Sequence, residues 1–431
     1  MGSDTQHDLI IIGGGIGGII SLKYAKDAGL DAILLESGSA VGGLWRDLPA
    51  WQDIQFRKED WTLGDLPIAS EDQSSILANI RAWVGRFGLA PSIRLNTRVT
   101  SASTSDGGWL VDAEGYSGRS KFLVAATGGH NRPVVPQIER VRPTLIEYHS
   151  SALRDPAEIT GKDVVVVGGG ASAYDLLDLC FERQARNVTW IHRSLKWMIP
   201  TQRPKYFASG LRALARMQML GVSRDEQNKR VNRELRARYK KAGIEELMPD
   251  KAFDFGHQML VPGRRRMLQN IARIVRHRGE IVRIEGNSVV LSSGHSCNAD
   301  IVLWGTGYET DLSYLKVDGL SQLKRLDEID RRCGAHILAL DAPNLFILAP
   351  GVLEMNTTTP WAYAHVAKSI MSHIKGNAVF ASEPIDTNTN YYELVRFLAK
   401  HDRANYPPLL WYLKYLYLAF RRPGDQPLPI P

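Results

Sequence analysis

The chain begins with a polar stretch, Met1 to Asp8, followed by a short apolar run to Ile12 that breaks into Gly13, Gly14, Gly15, Ile16, Gly17 and Gly18. An apolar run this short, ended by glycines, predicts a buried parallel strand. Helix-like spacing follows to about Gly29, and a second strand, Ala32 to Leu35, ends in Glu36. Strand, turn, helix and strand in that order make a βαβ unit. The order returns at Asp163 to Val167, then Gly168, Gly169, Gly170, Ala171, Ser172 and Ala173, a helix through about Phe181, and a strand from Asn187 to Ile191. Between the two units, strand-like pieces at Arg94 to Thr100, Trp109 to Asp112 and Lys121 to Ala125 predict a small β-meander and a return to the first sheet. Ala299 to Trp304 reads as a further returning strand.

Two such units imply an α/β chain with two Rossmann-like dinucleotide-binding domains, the second inserted into the first. The expected pieces are 1–155 and 301–400 for the first domain, 156–300 for the second, and a tail at 401–431. A long, basic, mostly helical segment, 195–262, interrupts the second unit and carries Trp197, Tyr206 and Phe207. Insertions of this kind commonly cover a site. These aromatics, with Trp361, hint at a bulky apolar substrate. The tail segment Tyr406 to Phe420 is rich in Leu, Trp and Tyr and is followed by Arg421 and Arg422. At ~15 residues it is too short to span a bilayer, which needs about 20. Peripheral membrane contact through 406–422, packing over a substrate entrance, and a homodimer contact all stay open for it.

Composition narrows little: 431 residues, 44% hydrophobic and 23% charged, are those of a soluble globular protein of more than one domain. The net charge of +7 gathers in clusters such as Arg236, Arg238, Lys240 and Lys241, and Arg264 to Arg266, without interleaved aromatics, which argues against nucleic acid. Cys180, Cys297 and Cys333 are far apart and form no CxxC or metal spacing, so neither a disulfide framework nor a metal site is expected. The polar start running straight into a glycine turn predicts no signal peptide and a cytoplasmic protein.

The glycine turns carry the chemistry. Gly13 permits the tight turn, Gly15 lets backbone reach a pyrophosphate, Gly18 lets helix and strand approach, and Glu36 can accept both ribose hydroxyls. In the second unit Gly168, Gly170 and Ala173 repeat the fingerprint, but the strand ends in His192 and Arg193 where a carboxylate is expected. A guanidinium binds a 2′-phosphate that a carboxylate would repel, so this site is expected to prefer NADPH to NADH.

With these come Gly42-Gly43-Leu44-Trp45-Arg46, Ala126-Thr127-Gly128, His149-Ser150 before Arg154-Asp155-Pro156, Trp304-Gly305-Thr306-Gly307-Tyr308, and Asn344-Leu345-Phe346 before Gly351. In order and spacing the sequence resembles the flavin-containing monooxygenases, which are related to the Baeyer–Villiger enzymes. The resemblance implies FAD at the first turn, with Gly43, Leu44 and Trp45 against the flavin and Val99, Thr127 and Gly128 also at the cofactors. It implies NADPH at the second turn, with Ser172 and His192 joining the fingerprint, and a crossing between domains at Thr306 and Gly307. Counting back from Asp65-Leu66-Pro67, Gln55 falls where N-oxygenating members place an asparagine that helps hold the flavin-bound oxygen, and it is taken as the catalytic candidate. The family's linker fingerprint keeps only His149 here, with Pro143, Leu145 and Leu153 in place of its phenylalanine, glycine and final aromatic. His149 is expected to order the link between domains.

By this resemblance NADPH reduces FAD, and the reduced flavin activates O2 to oxygenate a nitrogen or sulfur of a small, apolar substrate. Baeyer–Villiger oxidation of a ketone, for which the family wants tryptophan at position 153, and NADPH oxidation without oxygen insertion are the alternatives. A disulfide reductase would need a redox cysteine pair.

Overall fold

The computed structural model describes residues 5–52, 61–200, 220–254, 258, 260–334, 337–348, 360–378, 409, 410 and 413. The first apolar run lies in the strand Thr5–Ile12, with Leu9 to Ile12 at most 4% exposed. Leu9 and Ile11 enter one core cluster and Ile10 and Ile12 another, because successive side chains point to opposite faces of a strand. A sheet covered on both faces needs an unbroken apolar strand, which explains the run.

Thr5–Ile12 pairs in parallel with Ala32–Leu35 on one side and Tyr116–Ala125 on the other. Ile93–Arg94 extends the sheet beyond Ala32–Leu35, and Leu345–Ile347 extends it beyond Tyr116–Ala125. Segments from both ends of the described chain therefore build one sheet. The helices Ile16–Asp27, Gln73–Arg86 and Pro360–Ile374 supply Ile19, Ile76, Trp83, Val366 and Ile370 to the core on one face. The expected meander is Val99–Ser105, Gly108–Ala113 and Tyr116–Ala125, all antiparallel; Arg94 belongs instead to the sheet edge.

The second sheet runs Ile146–His149, Ile301–Trp304, Asp163–Val167, Asn187–His192 and Ile274–Arg278, all parallel. The expected start of the return at 301 is corrected here: Ile301–Trp304 lies between two strands of the second sheet, and its four buried residues close that core. Ile146–His149 also belongs to the second sheet, ahead of the expected boundary at 155. The chain crosses through Arg132–Pro133 and recrosses through Tyr308–Glu309, and these two segments pair with each other antiparallel.

Within 195–262, Met198–Ile199 pairs with Val261–Pro262, so the insertion leaves and rejoins the domain at one neck. Its helix Arg224–Ala242 is capped by the Ser223 hydroxyl, which accepts from Glu226 N, and ends on Gly243 in the left-handed region. Trp197 is not a pocket aromatic. It is 2% exposed, donates to Lys251 O at 2.8 Å and packs edge-on against Tyr239 at 5.3 Å, in the core. Tyr206 and Phe207 lie outside the described residues, as does nearly all of 406–422; Leu409, Leu410 and Leu413 are exposed. No helix among the described residues is long and apolar enough to cross a membrane.

Candidate functional site

The first turn joins Thr5–Ile12 to the helix Ile16–Asp27, whose N-cap, Gly15, brings no side-chain hydrogen bond to the first-turn amides. Those N–H groups, with the helix dipole behind them, favour an anion. A Cβ at Gly18 would stand 1.9 Å from Gly13 O, so only glycine lets the helix sit this close to the turn. Glu36, 5% exposed, accepts from Gly14 N and Gly38 N, both at 2.6 Å, one on each carboxylate oxygen. Ser37 Oγ also donates to Oε1 at 3.3 Å, so the carboxylate is fixed beside the turn while Oε2 keeps a lone pair for a further donor. Arg46 Nη1 lies 3.6 Å away.

Gly43 brings the Gly42–Trp45 loop against this turn: its own Cβ would be 2.8 Å from Gly15 Cα. Trp45 meets Trp61 edge-on at 5.2 Å, and Trp61 stacks on Trp83 at 6.0 Å, so the Trp45 ring anchors the loop to the core. Gln73 Nε2 donates to Trp45 O at 2.8 Å and to Leu48 O. Thr127 Oγ1 is 3.1 Å from the buried Tyr314 hydroxyl, Gly128 follows it, and Val99 is half-buried at the start of the meander. Gln55 lies outside the described residues.

The second turn repeats the design. Gly170 is the N-cap of Ala171–Glu182, again with no side-chain cap. Gly168 has φ +134°, and a Cβ there would lie 2.2 Å from Gly305 O. Gly305 in turn faces Ala173, whose Cα would be 2.6 Å from a Cβ at 305. The fingerprint helix thus packs on a glycine of the distant crossing strand, a site partner that the local motif does not disclose.

These residues border a cavity of about 1350 Å³. It is lined by Gly168, Gly170 and Ser172, by His192 and Arg193, by Thr306 and Gly307, and, from the first domain, by Leu44 and Gln52. The adjacency of Asn187–His192, Asp163–Val167 and Ile301–Trp304 puts Gly168 between Arg193 and Thr306. Arg193 is exposed and its Nη1 lies 3.2 Å from Glu280 Oε1. His192 is half-buried, and burial, reinforced by Arg278 and Arg276, pushes its pKa below the usual value. Both effects favour the neutral imidazole, and the positive charge at this strand end is that of Arg193 and of Arg278, whose Nε donates to Arg193 O at 3.3 Å.

The crossing is tied by hydrogen bonds. Gly307 O accepts from Val134 N at 3.0 Å and from His149 Nε2 at 3.0 Å, and the Thr306 hydroxyl donates to Val134 O. A carbonyl only accepts, so His149 carries its proton on Nε2, and Nδ1 accepts from Ser151 N and the Ser151 hydroxyl. Burial pushes the imidazole below its usual pKa. A buried, neutral, doubly bonded histidine orders the link. The departures at Leu145 and Leu153 are core positions, 9% and 0% exposed. Among the described residues no group of three or more His, Cys, Asp or Glu is placed to hold a metal.

The chain is 24% identical over 356 residues to Flavin-containing monooxygenase 5 of Cavia porcellus, which covers 72% of this chain and 64% of that protein. It is 23% identical over 340 residues to 4-hydroxybenzoate brominase (decarboxylating) of Marinomonas mediterranea, with the same two shares. The chain therefore spans under two thirds of the length of these curated relatives. Among solved structures, the flavin-containing monooxygenase from Stenotrophomonas maltophilia superposes with a TM-score of 0.61 at 17% identity, over 86% of this chain and 99% of that one. The oxidized steroid monooxygenase bound to NADP gives 0.61 at 21% identity, over 87% of each chain. OTEMO in complex with FAD and NADP gives 0.64 at 17%, over 86% and 85%. The pattern of one family matches residues 10–240, more than half of the chain, and takes in both glycine turns: the chain belongs to the pyridine nucleotide-disulphide oxidoreductase family.

Proposed function

We propose that this chain is an NADPH-dependent FAD monooxygenase that oxygenates a nitrogen or sulfur of a small, apolar organic substrate. The observation that carries this reading is the single cavity that joins Arg193 and the uncapped helix start at Gly170 to Leu44, in the loop held against the first glycine turn. One dinucleotide laid along it places its phosphates on the helix N-terminus and its far end toward the first domain. The first turn and Glu36 fit the pyrophosphate and ribose of FAD, and Arg193 fits the 2′-phosphate of NADPH. Gln55 remains the proposed catalytic residue, on the strength of its spacing from Asp65-Leu66-Pro67.

When bound, the two cofactors supply hydride transfer and oxygen activation. The protein's part is to bind, orient and exclude water. Gly307 O, held by Val134 N and His149 Nε2, keeps the crossing in one register between the two sites. Disulfide reduction is disfavoured because no two of the three cysteines stand in the spacing of a redox pair, and Cys180 and Cys333 are buried. Burial pushes the Cys180 thiol up to about 12, so it carries no thiolate at neutral pH.

The test is NADPH consumption by the FAD-loaded protein across amines, hydroxylamines, sulfides and ketones, read against peroxide release. An oxygenated amine or sulfide with little free peroxide supports the reading. Lactone or ester formation from ketones makes the enzyme a Baeyer–Villiger oxidant, and NADPH turnover that ends only in peroxide makes it an oxidase.

A further inference from the structure

The first domain also meets the second through a residue that belongs to neither crossing segment. Trp51 Nε1 donates to Leu153 O at 2.6 Å, and the Trp51 ring packs against the second domain's core, in which Leu153 is fully buried. Trp51 is held from its own side as well. Gly42 N donates to Gly14 O at 2.9 Å, Leu48 N to Leu44 O at 2.9 Å and Gln52 N to Pro49 O at 3.1 Å, while Gln73 Nε2 holds the carbonyls of Trp45 and Leu48. A run of fixed backbone therefore leads from the first glycine turn to the indole and ends in the core of the other domain. Leu48 borders the large cavity, and Trp51 borders a second one of about 550 Å³ whose other wall includes Asp178 and Arg264 of the second domain. The segment lies between two cavities, and the indole fastens it.

The two crossing segments pair with each other and make a hinge, which by itself leaves rotation about them open. A bond from outside the hinge removes that rotation. Position 153, where the linker fingerprint has its final aromatic, is leucine here, and Trp51 brings a ring to the same core cluster from the first domain. We infer that Trp51 is a positioning residue for hydride transfer from NADPH to FAD, which yields NADP⁺ and FADH⁻. It locks the second domain in register with the first glycine turn, so that a dinucleotide held on the second turn meets the flavin at one distance. The inference rests on the proposed cofactor sites. It leaves their contacts intact, because Gly170 and Arg193 belong wholly to the second domain and Glu36 to the first.

Anaerobic stopped-flow reduction of the FAD-loaded full chain by NADPH tests it, beside calorimetric titration with NADP⁺ and hydrogen exchange of residues 42–52. Trp51→Phe keeps a ring without the donor, and Trp51→Leu has neither. The reduction rate at saturating NADPH is expected to fall about 10- to 100-fold in Trp51→Leu, the scale of a small misplacement of reacting groups, and several-fold in Trp51→Phe. NADP⁺ affinity and FAD content should stay as in the wild type, while exchange in 42–52 rises in both variants as the segment loses its fastening. If the leucine variant does not fold, the phenylalanine variant decides the matter. An unchanged reduction rate overturns the inference and leaves the cofactor sites standing, as does a loss of NADP⁺ affinity that accounts for the slower reduction. A wild type whose flavin NADPH does not reduce overturns the proposed function as well.

Discussion

Arg193 Nη1 sits 3.2 Å from Glu280 Oε1 at the rim of the cavity, so the guanidinium proposed to hold a 2′-phosphate also faces a carboxylate. Both side chains are largely exposed, and a pair of this kind contributes little to stability. A dianionic phosphate can displace it. Arg193→Ala is therefore expected to raise KM for NADPH by about 10- to 100-fold, the range of a charge-assisted hydrogen bond, and to leave KM for NADH within a factor of about two. Steady-state kinetics with both dinucleotides check this, and equal effects on the two would remove the 2′-phosphate from Arg193.

The same relationship makes Glu280 a brake on NADPH. Glu280→Gln frees Arg193 and removes a negative charge facing the phosphate, so KM for NADPH is expected to fall several-fold, most clearly at low ionic strength where exposed charges are least screened. NADH should respond weakly. A KM for NADPH that rises in Glu280→Gln would mean that the carboxylate orients Arg193 for its ligand and does not compete for it.

His149 couples the domain crossing to pH. Burial holds its folded pKa below the usual 6.5, against the Gly307 hydrogen bond, and the neutral form is the one whose Nδ1 can accept from Ser151 N while Nε2 donates to Gly307 O. Below 6.5 the unfolded chain binds a proton that the folded chain refuses, so the stabilisation present above that pH is lost as pH falls from 6.5 toward the folded pKa. His192 and His373, also lowered by burial, add in the same direction. Denaturation midpoints measured from pH 8 to 5 should fall, and His149→Gln, whose amide can still donate to Gly307 O, should flatten that fall. An identical pH slope in the variant would exclude His149 as a contributor.

Both glycine turns were legible in the sequence because their whole logic lies within a few tens of residues: the carboxylate that meets Gly14 N is the strand-end Glu36 that the βαβ spacing points to. The sheet that Ile301–Trp304 joins is not legible, because a four-residue apolar run says that it is buried but not in which sheet. The core position of Trp197 is not legible either, because its partners, Tyr239 and the Lys251 carbonyl, arrive only when the insertion folds back. Gly305 is not legible as a site residue for the same reason: its significance exists only where distant segments meet, against Ala173.

The fingerprint helix is fastened to the far side of the insertion by a buried ion pair, Asp175 to Arg264, each side chain 5% exposed. Such a pair gains little over an apolar substitute, yet removal of one member leaves a charge buried without its counterion. Arg264→Met is expected to lower stability by about 3–5 kcal/mol, and the double variant Asp175→Leu with Arg264→Met to recover most of it. Urea denaturation of the three proteins decides this, and a double variant as unstable as the single one would show that the pair is held for its wider hydrogen bonding.

Gly168 and Gly170 differ in what a methyl group would do, and the difference separates folding from binding. At Gly168 a Cβ would stand 2.2 Å from the Gly305 carbonyl oxygen with φ at +134°, so Gly168→Ala must push the turn away from the crossing strand and is expected to lower the melting temperature. At Gly170 the backbone is extended, with φ −123° and ψ −165°, which any residue adopts, and the nearest protein atom to a Cβ is Lys196 Cγ at 3.7 Å. Gly170→Ala should therefore melt like the wild type. Its methyl, however, stands at the uncapped helix start, where a pyrophosphate must approach the amides. NADP⁺ affinity in this variant is expected to drop by about tenfold or more, equivalent to at least about 1.4 kcal/mol, with FAD content unchanged. A Gly170→Ala protein that binds NADP⁺ as well as the wild type would move the pyrophosphate off this helix and, with it, the proposed course of the dinucleotide from Arg193 to Leu44.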